Sequence, residues 1–103
     1  MKKRRVDFTI GVTYDTPLEK LKKIPDIIKE SITKYELTEF SRAHFKEYGP
    51  YSLNFEVVYF VNTPDYDKNM DIRQKINYSI KEAFEKEGIA FAFPTQTIFL
   101  DKS

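Results

Sequence analysis

The sequence predicts an α+β domain of ferredoxin-like βαββαβ order, a four-stranded antiparallel sheet with two helices on one face. Three observations predict it. Residues 6–14 alternate apolar and polar side chains in strict period two. Two later segments carry apolar residues three and four apart, the stripe of a helix packed on one side. Between those segments, two further extended runs are joined by a Gly-Pro turn.

Val6, Phe8, Ile10, Val12 and Tyr14 alternate with Asp7, Thr9, Gly11 and Thr13, which is a half-buried strand. It stops at Asp15-Thr16-Pro17. Thr16 is placed to cap a helix, Pro17 to be its first residue, and Glu19 to close a T-x-x-E capping box. Leu18, Leu21, Ile24, Ile28 and Ile32 form the stripe that follows. Pro25 lies inside it, and a proline there costs about 3 kcal/mol, so a kink or a restart of the helix near Pro25 is expected. A second strand is expected around Glu39 to Tyr48, with Ser41, Ala43 and Phe45 on one side and Arg42, His44 and Lys46 on the other. After Gly49-Pro50 a third strand runs from Tyr51 to Asn62, with Leu53, Phe55, Val57, Tyr59 and Val61 in phase. Thr63-Pro64-Asp65 ends it and begins the next element. Met70, Arg73, Ile76, Asn77, Ile80, Ala83 and Phe84 keep a helical period up to Gly88, a natural left-handed stop. Ile89 to Phe93 is apolar, Pro94 interrupts, and Thr97 to Leu100 reads as the last strand. Right-handed crossovers would place strands one and three in the centre.

A chain of 103 residues with 41% hydrophobic, 16% aromatic and 32% charged residues is one globular domain, too apolar for disorder. The formal net charge is +1, but Lys2, Lys3, Arg4 and Arg5 supply four of the 17 cations. Residues 6–103 therefore carry 13 cations against 16 anions, and residues 1–5 read as a basic linker to that domain. A slightly acidic body argues against a nucleic-acid footprint. There is no cysteine, so disulfides, thiol catalysis and thiolate metal sites are excluded. The longest apolar runs are about five residues, whereas a membrane span needs ~20, so a soluble chain is expected.

No catalytic, cofactor-binding or metal site is expected. His44 is the one histidine, and no nucleophile or ligand set gathers around it by spacing. Asp65, Asp67 and Asp71 lack the glycine and distal glutamate of a calcium loop and suit the first turns of a helix. Arg42 and Arg73 invite a phosphate or carboxylate reading. An enzyme of the acylphosphatase type would need a cradle of backbone donors after strand one, and Asp15-Thr16-Pro17-Leu18 is not one. An RNA-recognition module would need stacking aromatics on the two central strands, where only Phe60 qualifies.

Three stretches, RRVDFTIGVTYDTPLEKLKKIPDIIKESI, FSRAHFKEYGPYSLNFEVVYFV and DIRQKINYSIKEAFEKEGIAFAFPTQTIFL, resemble the C-terminal cytoplasmic domain of the small-conductance mechanosensitive channel family. The resemblance covers residues 4–100, and its most specific pieces are Val12 to Pro17, Arg42 to Gly49 with Ser52 to Val61, and Gly88 to Thr97. It implies a full protein with pore-lining membrane helices, a β domain and then this domain. It also implies a homo-heptameric cage below the pore, on the cytoplasmic side of the inner membrane, with portals that pass solutes during osmotic shock. Residues 1–5 would then connect to the preceding β domain. The turn Glu47 to Ser52 departs from a commoner Gly-Asp pairing. On this reading the candidate intersubunit surface is Val58, Phe60, Phe91, Phe93 and Pro94, and the candidate polar vestibule face is Arg42, His44 and Lys46. The partners are other subunits of the channel, with no nucleic acid and no cofactor. The isolated domain is expected to be monomeric or weakly associating. The competing reading is a free-standing ferredoxin-like module that binds a small ligand or RNA.

Overall fold

In the computed structural model, residues 3–92 are described. They form β1 (Arg4–Val12), α1 (Leu18–Thr33), β2 (Thr38–Tyr48), β3 (Leu53–Val61) and α2 (Tyr66–Glu87). The three strands make one antiparallel sheet in the order β1-β3-β2, so β3 is the middle strand. The fourth strand expected over residues 97–100 lies outside the described residues. Against the outer edge of β1, residues 90–92 make an antiparallel approach. Val12 bridges Phe91, the Thr13 N–H donates to the Ala90 carbonyl at 3.2 Å, and the Ala92 N–H donates to the Gly11 carbonyl at 2.9 Å.

All nine residues of β1 pair with β3 in unbroken register, from Arg4 opposite Val61 to Val12 opposite Leu53. Period-two alternation therefore sends Val6, Phe8, Ile10 and Val12 to one face together with Leu53, Phe55, Val57, Tyr59 and Val61. Both helices cover that face. α1 contributes Ile24, Ile28 and Ile32, and α2 contributes Ile72, Ile76, Ile80 and Phe84. Leu18, expected in the α1 stripe, is 66% exposed, because the helix begins there before it reaches the sheet.

Two expectations about α1 are corrected. Thr16 does not cap it. The Thr16 hydroxyl donates back to the Thr13 carbonyl at 2.8 Å, and Pro17 takes the capping position, its carbonyl accepting from the N–H groups of Lys20 and Leu21. Pro25 neither ends nor restarts the helix, which runs continuously for 16 residues. The chain leaves α1 through Leu37, whose φ of 70° is unusual for a residue with a Cβ. That bend aims the Leu37 carbonyl at the Asn62 N–H, 2.7 Å away, tying the start of β2 to the end of β3.

α2 starts and stops as its sequence dictates. The Asp65 carboxylate accepts from the N–H groups of Asp67 and Lys68, at 3.0 and 3.3 Å. At the far end Gly88 is left-handed (φ 73°), its N–H reaches the Glu85 carbonyl, and the Ile89 N–H reaches the Phe84 carbonyl at 2.9 Å. This is a Schellman stop, and Ile89 buries itself in the core as such a motif prefers. Lys20 of α1 donates its ammonium to the Glu87 carbonyl, placing a cation on the negative end of α2. The stripe of α2 is shifted from the expected one. Met70 is 38% exposed, and Asn69 and Ile72 take the buried positions.

Candidate functional site

The uncovered face of the sheet follows directly from the register. β1 presents Arg5, Asp7, Thr9 and Gly11. β3 presents Asn54, Glu56, Val58 and Phe60. β2 presents Glu39, Arg42, His44 and Glu47, each opposite one of the β3 residues. Its charges are paired locally: Lys3 with Glu39 at 3.0 Å, Arg5 with Asp7 at 3.2 Å and Arg42 with Glu56 at 3.7 Å. These side chains are a third to more than half exposed, so each pair contributes at most about 1 kcal/mol. The pairs make the face hydrated and close to neutral rather than adhesive.

Within β2 the strict alternation expected from sequence fails twice. Register shifts fall between Phe40 and Arg42 and between Phe45 and Glu47, leaving Ser41 and Lys46 as extra residues. Arg42 and His44 do share the open face, opposite Val58 and Glu56. Lys46 does not extend that row. The bulge hands the next paired position to Glu47, which lies opposite Asn54 and accepts a hydrogen bond from its side-chain amide at 3.3 Å. Ser41 likewise drops out of the core face, where Phe40 stands opposite Tyr59.

The structure also changes the candidate intersubunit residues. Val58, read from sequence as exposed, is 0% exposed. It sits on the middle strand, with Asp7 opposite it on β1 and Arg42 opposite it on β2. Phe60 is half-buried, with the Lys3 ammonium 5.5 Å from the centre of its ring. Phe91 is half-buried and stacks on the core residue Phe84, with ring centres 4.9 Å apart. Phe93 and Pro94 lie outside the described residues.

Sequence reasoning missed an aromatic cluster at the β2–β3 hairpin. Phe45 stacks on Phe55 and meets Tyr48 edge-on, both at 5.2 Å, while Tyr48 is 76% exposed and Tyr14 and Tyr51 about half. The Tyr14 hydroxyl donates to the Gly49 carbonyl, fastening the turn to the end of β1. A Cβ at Gly49 would stand 2.7 Å from the Asn54 side-chain nitrogen and 3.0 Å from the Ser52 carbonyl oxygen, so a larger residue there has to push the Asn54 side chain aside. The run of aromatics on either side of Gly49-Pro50 was the available signal. The reach of the helices, which leave this end of the sheet uncovered, was not.

On the helix side, a crevice between β1 and α2 is lined by Val6, Phe8, Tyr59, Arg73 and Asn77. Burial pushes the Tyr59 hydroxyl above its ordinary pKa, and the nearby Arg73 guanidinium opposes that rise. Among the described residues no group of three or more His, Cys, Asp or Glu side chains is placed to hold a metal ion, and no helix is long and apolar enough to cross a membrane.

Comparison with known proteins agrees on one lineage. Residues 6–91 match the family model described as "Mechanosensitive ion channel MscS, C-terminal". The chain is 50% identical over 101 residues to the small-conductance mechanosensitive channel MscMJ of Methanocaldococcus jannaschii, covering 97% of the chain and 29% of that relative. It is 41% identical over 105 residues to the large-conductance channel MscMJLR of the same organism, again covering 97% of the chain and 29% of the relative. Among solved structures, the closed-state MscS of Helicobacter pylori superposes with a TM-score of 0.68 at 23% identity, over 90% of this chain and 36% of that one. The A320V form of MSL1 from Arabidopsis thaliana gives 0.78 at 11% identity, over 91% and 36%. These two structural likenesses speak for the fold. The chain spans under a third of the length of the curated relatives it matches.

Proposed function

From a chain that belongs to the MscS family of mechanosensitive ion channels, as its C-terminal domain, we propose a wall element of the cage below the channel pore. In this reading identical copies assemble, as a homo-heptamer in the full protein, on the cytoplasmic side of the membrane, and solutes leave through openings between them during osmotic shock. The observation that carries it is the family match over residues 6–91, which spans nearly all of the described fold.

The geometry supports the reading in two ways. An open sheet face of locally neutralised charges, with Arg42 and His44 along its β2 side, is the surface expected of a hydrated vestibule wall. The hairpin aromatics Tyr14, Phe45, Tyr48 and Tyr51, together with Phe60, are exposed or half-exposed apolar surface that neighbouring copies would cover. Phe93 and Pro94 stay in the proposal, and Val58 leaves it. The complete four-stranded ferredoxin-like sheet, with the chain continuing from residue 92 along the edge of β1, belongs to the same reading. The Val12–Phe91 bridge supports it.

A domain exchange tests the proposal. The matching segment of the Methanocaldococcus jannaschii relative MscMJ is replaced by this chain, and the chimera is reconstituted and patch-clamped under suction. Retained tension-gated current from an assembled oligomer is expected. A chimera that reaches the membrane but neither assembles nor conducts, beside a conducting parent, would overturn it.

A further inference from the structure

We propose that the crevice between β1 and α2 binds a small organic carboxylate, gripped by the Arg73 guanidinium with the Tyr59 hydroxyl and the Asn77 amide, its apolar body against Val6 and Phe8. The inference is independent of the cage assignment. Arg73 is half-buried midway along α2, and among the described residues no carboxylate forms an ion pair with it. Its directed side-chain contacts are to neutral groups, the Met70 sulfur at 3.6 Å and the neighbouring Tyr59 hydroxyl, to which the guanidinium donates. The half-buried guanidinium thus has only neutral partners among the described residues, which leaves it able to take an anion.

The groups around it select the ligand class. Tyr59 is 1% exposed, and its hydroxyl, like any tyrosine's, keeps its proton at neutral pH and can donate. The Asn77 amide adds further N–H groups. Donors therefore outnumber acceptors, which suits an anion. One planar guanidinium fits the two oxygens of a carboxylate side by side. A phosphate site would call for more cations or for a cradle of backbone N–H groups, and neither is present midway along a helix. The Val6 and Phe8 side chains form the opposite wall, and Phe8 meets Tyr59 edge-on at 6.3 Å, leaving an apolar lining for a flat or short hydrocarbon body. A cavity of about 210 Å³ is below the usual range for drug-sized ligands, so the ligand is small. A second, more open hollow lined by Met70, Arg73, Gln74, Asn77 and Tyr78 shares Arg73 and Asn77 and gives the site access from solvent.

The test uses benzoate as the probe, added to the isotope-labelled 103-residue chain and followed by NMR. Saturable shifts are expected at Val6, Phe8, the Arg73 side-chain N–H and Asn77. Benzamide, which has the same shape without the charge, should give none. Arg73→Gln should weaken benzoate binding at least tenfold and Arg73→Lys less than that. Lys81→Gln, at an exposed cation on the same helix, should change nothing. Shifts that rise linearly without saturating, equal binding of benzamide, or benzoate binding unchanged by Arg73→Gln would each overturn the proposal. If Arg73→Gln does not fold, Asn77→Leu decides: folded and binding benzoate as before, it overturns the site; folded and weakened, it supports it.

Discussion

Replacing Pro25 by alanine should make the domain more stable, against the usual direction of a substitution in a helix that lines a core. Pro25 is the eighth residue of a continuous α1, and it has no N–H to give to the Leu21 carbonyl. Relative to alanine, proline in a helix interior costs about 3 kcal/mol. Two effects work the other way. Proline restricts the unfolded chain, an advantage of about 0.4–1 kcal/mol that alanine gives up. Its half-buried ring also loses roughly 1 kcal/mol of apolar burial when two methylenes are removed. The balance favours Pro25→Ala by about 1 kcal/mol. At a urea slope of ~2 kcal/mol per molar, the unfolding midpoint should rise by about 0.5 M. Urea titration followed by far-ultraviolet circular dichroism reads this directly, with Lys22→Ala, at an exposed position one turn earlier, as a control expected to shift stability by under about 0.5 kcal/mol. An unchanged or lowered midpoint with an unchanged slope would refute the reasoning, because it would mean that the helix already compensates the missing bond at Leu21.

Three other outcomes follow from the same packing. Gly88→Ala should cost about 1–2 kcal/mol, because alanine is strained at a φ of 73° and its Cβ would also approach the Lys20 ammonium to 3.0 Å; Gly88→Asn should recover part of the loss in the same titration. Val58→Ala should cost about 2 kcal/mol by thermal or urea unfolding, where an exposed valine would cost under about 0.5 kcal/mol. Stability should also fall as pH rises past about 10. The Tyr59 pKa is raised by burial, so the unfolded chain loses that proton first and gains free energy from doing so; below pH 10 both states keep it and the term vanishes. Tyr59→Phe should flatten that alkaline slope, as measured by urea midpoints across the range.

β1 was legible because it alternates without interruption, β3 because Leu53, Phe55, Val57, Tyr59 and Val61 stay in phase, and the two pair residue for residue. Gly88 and Asp65 were legible because a left-handed stop and a side-chain cap are local demands that few residue types meet. The alternation read for β2 holds between its two bulges, from Arg42 to Phe45. Outside them, at Ser41 and Lys46, it is one residue out of step, since an inserted residue leaves no mark in the apolar pattern of an edge strand. That is why Lys46 was grouped with Arg42 and His44. Thr16 satisfied a capping pattern that the chain did not use, because its hydroxyl found the Thr13 carbonyl within its own turn. The burial of Val58 depends on what the strands on either side carry, and the crevice at Arg73 depends on two strands and a helix converging. Neither relation is written in the spacing along one segment.

Two points near the ends of the described residues lie at opposite ends of a single strand. Arg4 begins β1, and Phe91 is bridged to Val12 at the other end, roughly 26 Å away for a nine-residue strand. A pull applied at these two points runs parallel to β1. The ladder between β1 and β3 is then strained in shear, with its hydrogen bonds loaded together rather than peeled one after another. A load placed between Arg4 and Phe91 would therefore meet the whole β1–β3 ladder at once.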